Sequence, residues 1–172
     1  MTPDQLREVM PYNAGRAEVF AQPLSDAMQE YSITTARRQA AFLAQVAHES
    51  GELRYTRELA SGDAYEGRAD LGNTEVGDGP RYKGRGLLQI TGRAAYEACG
   101  TALGIQLVAN PALLEVPVAA SRSAAWFWQT RGLNELADGD KFFSITHKVN
   151  GGYNGGDQRL AYYLVARKVF GL

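Results

Sequence analysis

The chain has 172 residues, 45% of them hydrophobic and 22% charged, with 18 basic and 19 acidic side chains and a net charge of −1. That length and composition describe one domain with a sizeable core and exclude a disordered chain. The balanced charge excludes the basic excess of a nucleic-acid binder, so an anionic polymer would have to be met by a local patch.

In chain order, the first helix opens at Thr2 as N-cap, with Pro3 at its first position and Gln5 completing a capping box. Leu6, Val9 and Met10 form its apolar face. Leu24, Ala27, Met28 and Tyr31 carry helical spacing in a second segment. A third helix runs from about Thr35 to Ser50 and is stopped by Gly51. Residues 61–86, "SGDAYEGRADLGNTEVGDGPRYKGRG", are glycine-rich and nearly free of aliphatic side chains. They read as a long loop with a short hairpin, and a loop of that length inside a compact domain is usually either functional or disordered. Helical patterns return over about 92–103, 117–131, 138–149 and 157–169.

No repeat or linker divides these elements, so the expectation is a single, mainly α domain over residues 1–172, with the irregular region between two groups of helices. Cys99 is the only cysteine. No intrachain disulfide is possible, and the residue reads as a small buried side chain on a helix. The start "MTPDQLREVM" lacks the basic patch and apolar core of a signal peptide. No apolar run approaches the ~20 residues of a bilayer span. Synthesis in the cytoplasm, without stable membrane association, is expected.

Four clusters hold chemistry-bearing residues. In "HES" at 48–50, Phe42, Val46 and Glu49 share one helical stripe. A carboxyl on such a stripe needs a partner or keeps its proton. Glu49 therefore reads either as a general acid or as a helix-end glutamate paired with Arg54 or Arg57. A metalloprotease would need histidine where Glu52 stands, and His147 is the only other histidine, so no metal is expected. Glu58 in "RYTREL" supplies a second carboxyl just before the glycine-rich loop. Two carboxyls in different settings are what glycoside hydrolysis uses, one to protonate the leaving oxygen and one to activate water.

The third cluster, "RYKGRGLLQIT" at 81–91, brings Tyr82, Lys83, Arg85, Gln89 and Thr91 together. It matches neither a dinucleotide nor a Walker pattern, and its polar groups interleaved with an aromatic suit a sugar cleft. Thr91 also reads as the N-cap of the following helix. In the fourth, "ITHKVNGGYNGG" at 145–156, Asn150 enters a glycine-rich turn. It reads as a helix C-cap or as an amide brought close to a ligand. "WFW" at 126–128 reads mainly as core.

The ordered set H-E-S, a second Glu nine residues on, Y-x-G-R-G-x-x-Q-x-T and I-T-x-x-x-N-G-G resembles glycoside hydrolase family 19, the chitinase family. The likeness covers roughly residues 36–165, and the loop "YEGRADLGNTEVGDGPRYKGRG" looks like the bacterial and phage branch, whose members serve as endolysins. The resemblance implies a lysozyme-like superfamily fold and an inverting mechanism without a cofactor. Glu49 would be the general acid and Glu58 the general base, their carboxyls about 6.5–9.5 Å apart to admit a water. Thr91 would position that water. Gln89, Asn150 and His48 would contact sugar or water, and Tyr82 and Arg85 would shape the cleft. The chain departs from the family at Ala95, where members often carry an asparagine that contacts substrate.

The leading expectation is thus a peptidoglycan-cleaving, lysozyme-like glycosidase, an endolysin acting on β-1,4 bonds between amino sugars. The alternatives are a chitinase and a non-catalytic glycan-binding module on the same fold. On the endolysin reading a holin-type protein releases a monomer to the periplasmic wall, and no separate wall-binding domain is expected.

Overall fold

A computed structural model describes all residues, Met1–Leu172. The protein is mainly helical, with almost no strand. Helix α1 (Pro3–Val9) begins with the expected capping box: the Gln5 N–H donates to Thr2 Oγ1 and the Thr2 N–H donates to Gln5 Oε1. Helix α2 (Ala14–Glu30) starts well before the segment marked by spacing and carries Pro23 inside it. Proline removes one helical donor, and Val19, the residue it leaves unbonded, lies at the solvent face.

Helix α3 (Ala36–Glu49) is capped by Thr35 and ends at Ser50 and Gly51. Every residue from Ala40 to Ala47 is buried, including Gln45. It is therefore a central post surrounded by α9 (Gly156–Val169), α7 (Leu133–Asp138) and α8 (Phe142–Asn150) rather than a helix with one apolar face. Its alanines let those neighbours approach closely. The remaining helices are α4 (Asp78–Arg81), α5 (Arg93–Leu103) and α6 (Pro117–Thr130). Trp128 of α6 is fully buried, meets Phe42 edge-on at 5.4 Å, and donates to Asn134 at 2.9 Å. Cys99 is buried, which pushes its thiol up to about 12. No helix is long and apolar enough to cross a membrane.

Three local expectations are corrected. The pattern over 138–149 is the end of α7 and all of α8, broken at Asp140, which takes a left-handed φ of 55° while its carboxylate accepts from Tyr163. Thr91 does not cap α5: Gly92 is the N-cap residue, and the Arg93 N–H is satisfied from a distance by buried Asn73 at 2.8 Å. The glycine-rich region holds two 3-10 turns, 63–65 and 69–71, and the single turn of α4. Its hairpin is reduced to a bridge between Arg85 and Ile90, with a second bridge from Arg57 to Arg85. Polar side chains organise this loop where aliphatic ones are missing. Glu66 accepts from the Gly77 and Gly79 N–H groups, and buried Asp78 accepts a two-pronged bond from Arg93. The Arg93 charge holds the Asp78 carboxyl below the usual carboxylate range.

Candidate active site

Glu49 is the last residue of α3, and its side chain keeps 23% of its surface exposed. Its partner is neither Arg54 nor Arg57. Arg54 lies over the Tyr55 ring, and Arg57 reaches Glu115 at 3.7 Å. Arg159 of α9, 1% exposed, pairs with Glu49 Oε1 instead. The same guanidinium donates to Gln45 Oε1 at 2.6 Å and to the Asn154 carbonyl at 3.1 Å. Gln45 in turn donates to Thr146 of α8 at 3.0 Å. A buried cation is tolerated because its planar fork is filled by one carboxylate and two neutral acceptors. One Glu49 oxygen is thereby fixed while the carboxyl stays open to solvent. Sequence reasoning missed Arg159 because it lies 110 residues away, on a helix with no motif around it.

His48 and Asn150 join the same cluster. His48 Nδ1 and Gln158 Oε1 are 2.7 Å apart, so Nδ1 carries the proton and Nε2 is left as an acceptor. Burial first, and the Arg159 charge second, hold the imidazole below its ordinary pKa. Gly155, at φ 69°, lies flat on the ring: a Cβ there would sit 2.1 Å from His48 Cε1. Asn150 ends α8, and the left-handed C-cap is Gly151 rather than the asparagine. Its amide donates to the Asn154 carbonyl at 2.9 Å, and its Oδ1 is buried without a protein donor.

Glu58 sits on the other lip. Its N–H donates to the Gly84 carbonyl at 3.0 Å, and the Gly86 N–H donates to Thr56, which ties the segment to the bridge at Arg85. The Tyr65 hydroxyl donates to Glu58 Oε2 at 3.0 Å. Burial and the neighbouring Glu58 carboxylate both raise the Tyr65 pKa. Glu58 Oε1 and Gln89 Oε1 are both buried and accept nothing from the protein. Gly84 lets both side chains close in on the backbone, since a Cβ at that position would lie 2.3 Å from Gln89 Oε1 and 3.0 Å from Glu58 Oε2, the oxygen that Tyr65 binds. Gln89 has a left-handed φ of 48°, and Thr91 Oγ1 donates to its carbonyl at 3.2 Å. Glu58, Gln89 and Thr91 thus form one group. Unsatisfied acceptors beside a carboxylate call for a donor from outside the protein, a water or a sugar hydroxyl.

Two residues expected at the cleft stand behind it. Tyr82 is 1% exposed, tilted against Tyr96 with ring centroids 5.3 Å apart, and its hydroxyl donates to Val108. It presents no surface to a sugar. Arg85 is consumed by Glu115 at 2.8 Å, the Tyr96 hydroxyl at 3.0 Å and the Arg81 carbonyl at 2.8 Å. Both hold the loop that carries Gln89. Ala95 is half-buried and packs on the core, with no polar group to offer.

A locked turn joins the two lips. Gly51, Glu52 and Leu53 all take positive φ, at 56°, 57° and 67°. For the two non-glycines that conformation is strained by roughly 1–2 kcal/mol each. Glu52 is held there by the Tyr12 N–H and the Tyr162 hydroxyl, both at 2.7 Å, and Arg16 donates to the Leu53 carbonyl at 3.0 Å. The corner between α3 and the segment that carries Glu58 is thus pinned by three long-range hydrogen bonds.

Residues 14–137 match the protein-family model described as chitinase class I, glycoside hydrolase family 19. A glycosyl hydrolase family 19 domain-containing protein of Haemophilus influenzae is 30% identical, over 83% of this chain and 84% of its own length. An endochitinase of Arabidopsis thaliana is 35% identical over 83% of this chain, which spans about half (51%) of that relative. Among solved structures, chitinase C from Streptomyces griseus superposes with a TM-score of 0.81 at 28% identity, covering 99% of this chain and 76% of that one.

Proposed function

The chain belongs to glycoside hydrolase family 19 and is a glycoside hydrolase, and from that premise we propose that it cleaves β-1,4 bonds between the amino sugars of bacterial peptidoglycan. The observation that carries the reading is the pair of differently held carboxyls that flank one pinned turn. Glu49 is anchored by Arg159 at one oxygen. Glu58 is anchored by Tyr65 at one oxygen, and its other oxygen, like that of Gln89, is buried without a protein donor.

In the proposed reaction Glu49 takes up a proton from solvent on the oxygen that Arg159 leaves free and gives it to the glycosidic oxygen as the bond to C1 breaks. Glu58 takes a proton from a water, whose oxygen bonds to C1 from the opposite face, inverting the anomeric centre. Gln89, Thr91 and Asn150 orient that water and the sugar, and His48 Nε2 accepts a hydroxyl from the sugar. Proton exchange with solvent restores both carboxyls.

Peptidoglycan is favoured over chitin by charge near Glu58. Arg54 and Arg57 stand exposed on the same segment, and Lys83 closes onto the Ala60 carbonyl beside it. With Arg57 partly offset by Glu115, Arg54 and Lys83 supply the local positive charge that a near-neutral protein needs to meet the anionic peptide stems of a wall. The chitin reading draws on the relatives, which include endochitinases of Arabidopsis thaliana. On the wall reading the enzyme works as a monomer that a holin-type protein releases from the cytoplasm.

The test is turbidity loss of outer-membrane-stripped Gram-negative cells, wild type beside Glu49→Gln, with mass spectrometry of the released fragments. Lysis by wild type alone, with new reducing ends and intact peptide stems, is expected. A folded wild type that leaves walls intact but releases chitin oligosaccharides would replace this substrate with chitin. Substantial lysis by Glu49→Gln would sink the assignment of the acid.

A further inference from the structure

Two of the largest exposed apolar side chains of the protein, Tyr153 at 63% and Phe143 at 52%, face one groove of about 600 Å³. The groove is lined further by Asn154, Asp157 and Gln158. It continues directly from the Glu49 lip. Gln158 is the hydrogen-bond partner of His48, Gly155 lies on the His48 ring, and the Asn154 carbonyl accepts from both Arg159 and Asn150. Neither exposed ring is loosely held. Phe143 rests edge-on against Phe142 at 6.2 Å, and Phe142 stacks on Tyr163 with centroids 4.2 Å apart and planes within 7°. Tyr153 leans on the His147 ring at 5.3 Å.

Exposing two aromatic rings to water is unfavourable, and bracing both from behind removes the freedom to fold them away. Rigid flat faces beside amide and carboxylate groups match a pyranose, whose ring face is apolar C–H and whose edge is hydroxyl. An occupant reaching this groove from the Glu49 lip is the sugar chain itself. We infer that Phe143 and Tyr153 form a sugar-binding platform that grips the glycan strand beyond the cleaved bond and makes the enzyme prefer long strands. Asn154, Asp157 and Gln158 meet the hydroxyl edge. The inference rests on the glycan substrate proposed above and adds to it a subsite outside the catalytic group.

The experiment measures kcat and KM on peptidoglycan glycan strands fractionated by length, for wild type, Tyr153→Ala, Phe143→Ala and Tyr153→Phe. Platform binding is realised before chemistry, so KM on long strands should rise about tenfold in each alanine variant with kcat nearly unchanged. The gain of kcat/KM with strand length seen in wild type should disappear, and Tyr153→Phe should keep it. An unchanged KM on long strands would overturn the platform. So would a fall in kcat at constant KM, which would mean the turn holding Asn154 had been disturbed. Concentration-dependent self-association abolished by the same substitutions, with KM unmoved, would assign the rings to a contact between copies instead. Failure of wild type to cleave any strand would overturn the glycan reading itself and the platform with it.

Discussion

Gly84→Ala separates catalysis from folding more cleanly than removal of either carboxyl. Gly84 is not among the residues at positive φ, so its backbone accepts alanine. The added methyl would lie 2.3 Å from Gln89 Oε1 and 3.0 Å from Glu58 Oε2, where ordinary contact begins at 3.4 Å. The amide oxygen must retreat by about 1 Å and the carboxylate by a few tenths of an ångström, at the cost of the Tyr65 bond. Both atoms are ends of flexible side chains, so the fold can yield. Losing a charged hydrogen bond at a half-exposed group costs about 1.5–2.5 kcal/mol, and removing glycine freedom from the unfolded chain returns about 0.5 kcal/mol. The net loss of about 1–2 kcal/mol should lower Tm by roughly 2–8 °C for a chain of this size. A displacement of that order in the groups that position water should lower kcat about a hundredfold. The assay is reducing-end release from purified walls beside a thermal melt of the same preparation. Wild-type kcat in Gly84→Ala would refute the role of Glu58 and Gln89. Activity lost only in proportion to unfolded protein would refute it equally.

Arg159→Met should destabilise the domain by about 3 kcal/mol, because it leaves Gln45 and Glu49 with unpaired acceptors, the latter partly relieved by water, while the Asn154 carbonyl keeps only its bond from Asn150. Turnover should vanish, and Arg159→Lys should fail to restore it, since one ammonium cannot serve that planar set; urea denaturation and wall turbidity read the two effects. Asn73→Ala removes the distant cap of α5 and the bond to the Tyr65 carbonyl at 2.9 Å. A loss of about 2 kcal/mol in thermal unfolding is expected, with a fall in kcat transmitted through Tyr65. His48 titrates below its ordinary 6.5 when folded. The unfolded chain therefore takes up that proton first as pH falls, so stability is full above about 6.5 and declines below it towards the folded value. Asp78 and Asp138, whose pKa values lie below the usual carboxylate range, add their own losses only at more acidic pH. Urea midpoints between pH 7.5 and 5 should fall for wild type and flatten in His48→Gln; parallel curves would refute the assignment.

Local chemistry was readable from the chain alone. The box at Thr2 and Gln5, the stop at Gly51 and the helices near 93–103, 117–130 and 156–169 follow from capping, glycine and spacing, which depend on near neighbours. The ordered motif that names the family was readable too. What the chain could not state was who meets whom. A spacing rule offered Arg54 and Arg57 to Glu49, because it sees only residues nearby on the same stretch. Packing of α9 along α3 delivered Arg159 instead. Asn73, not Thr91, satisfies the start of α5, because a buried amide folded across the glycine-rich loop reaches the free N–H first. Tyr82 and Arg85 belong to the motif, yet packing turned them inward to Tyr96 and Glu115, leaving Gln89 to face outward. Hydrophobic periodicity records which side of a helix is buried but not what buries it; those partners were fixed only when residues a hundred positions apart closed on one another.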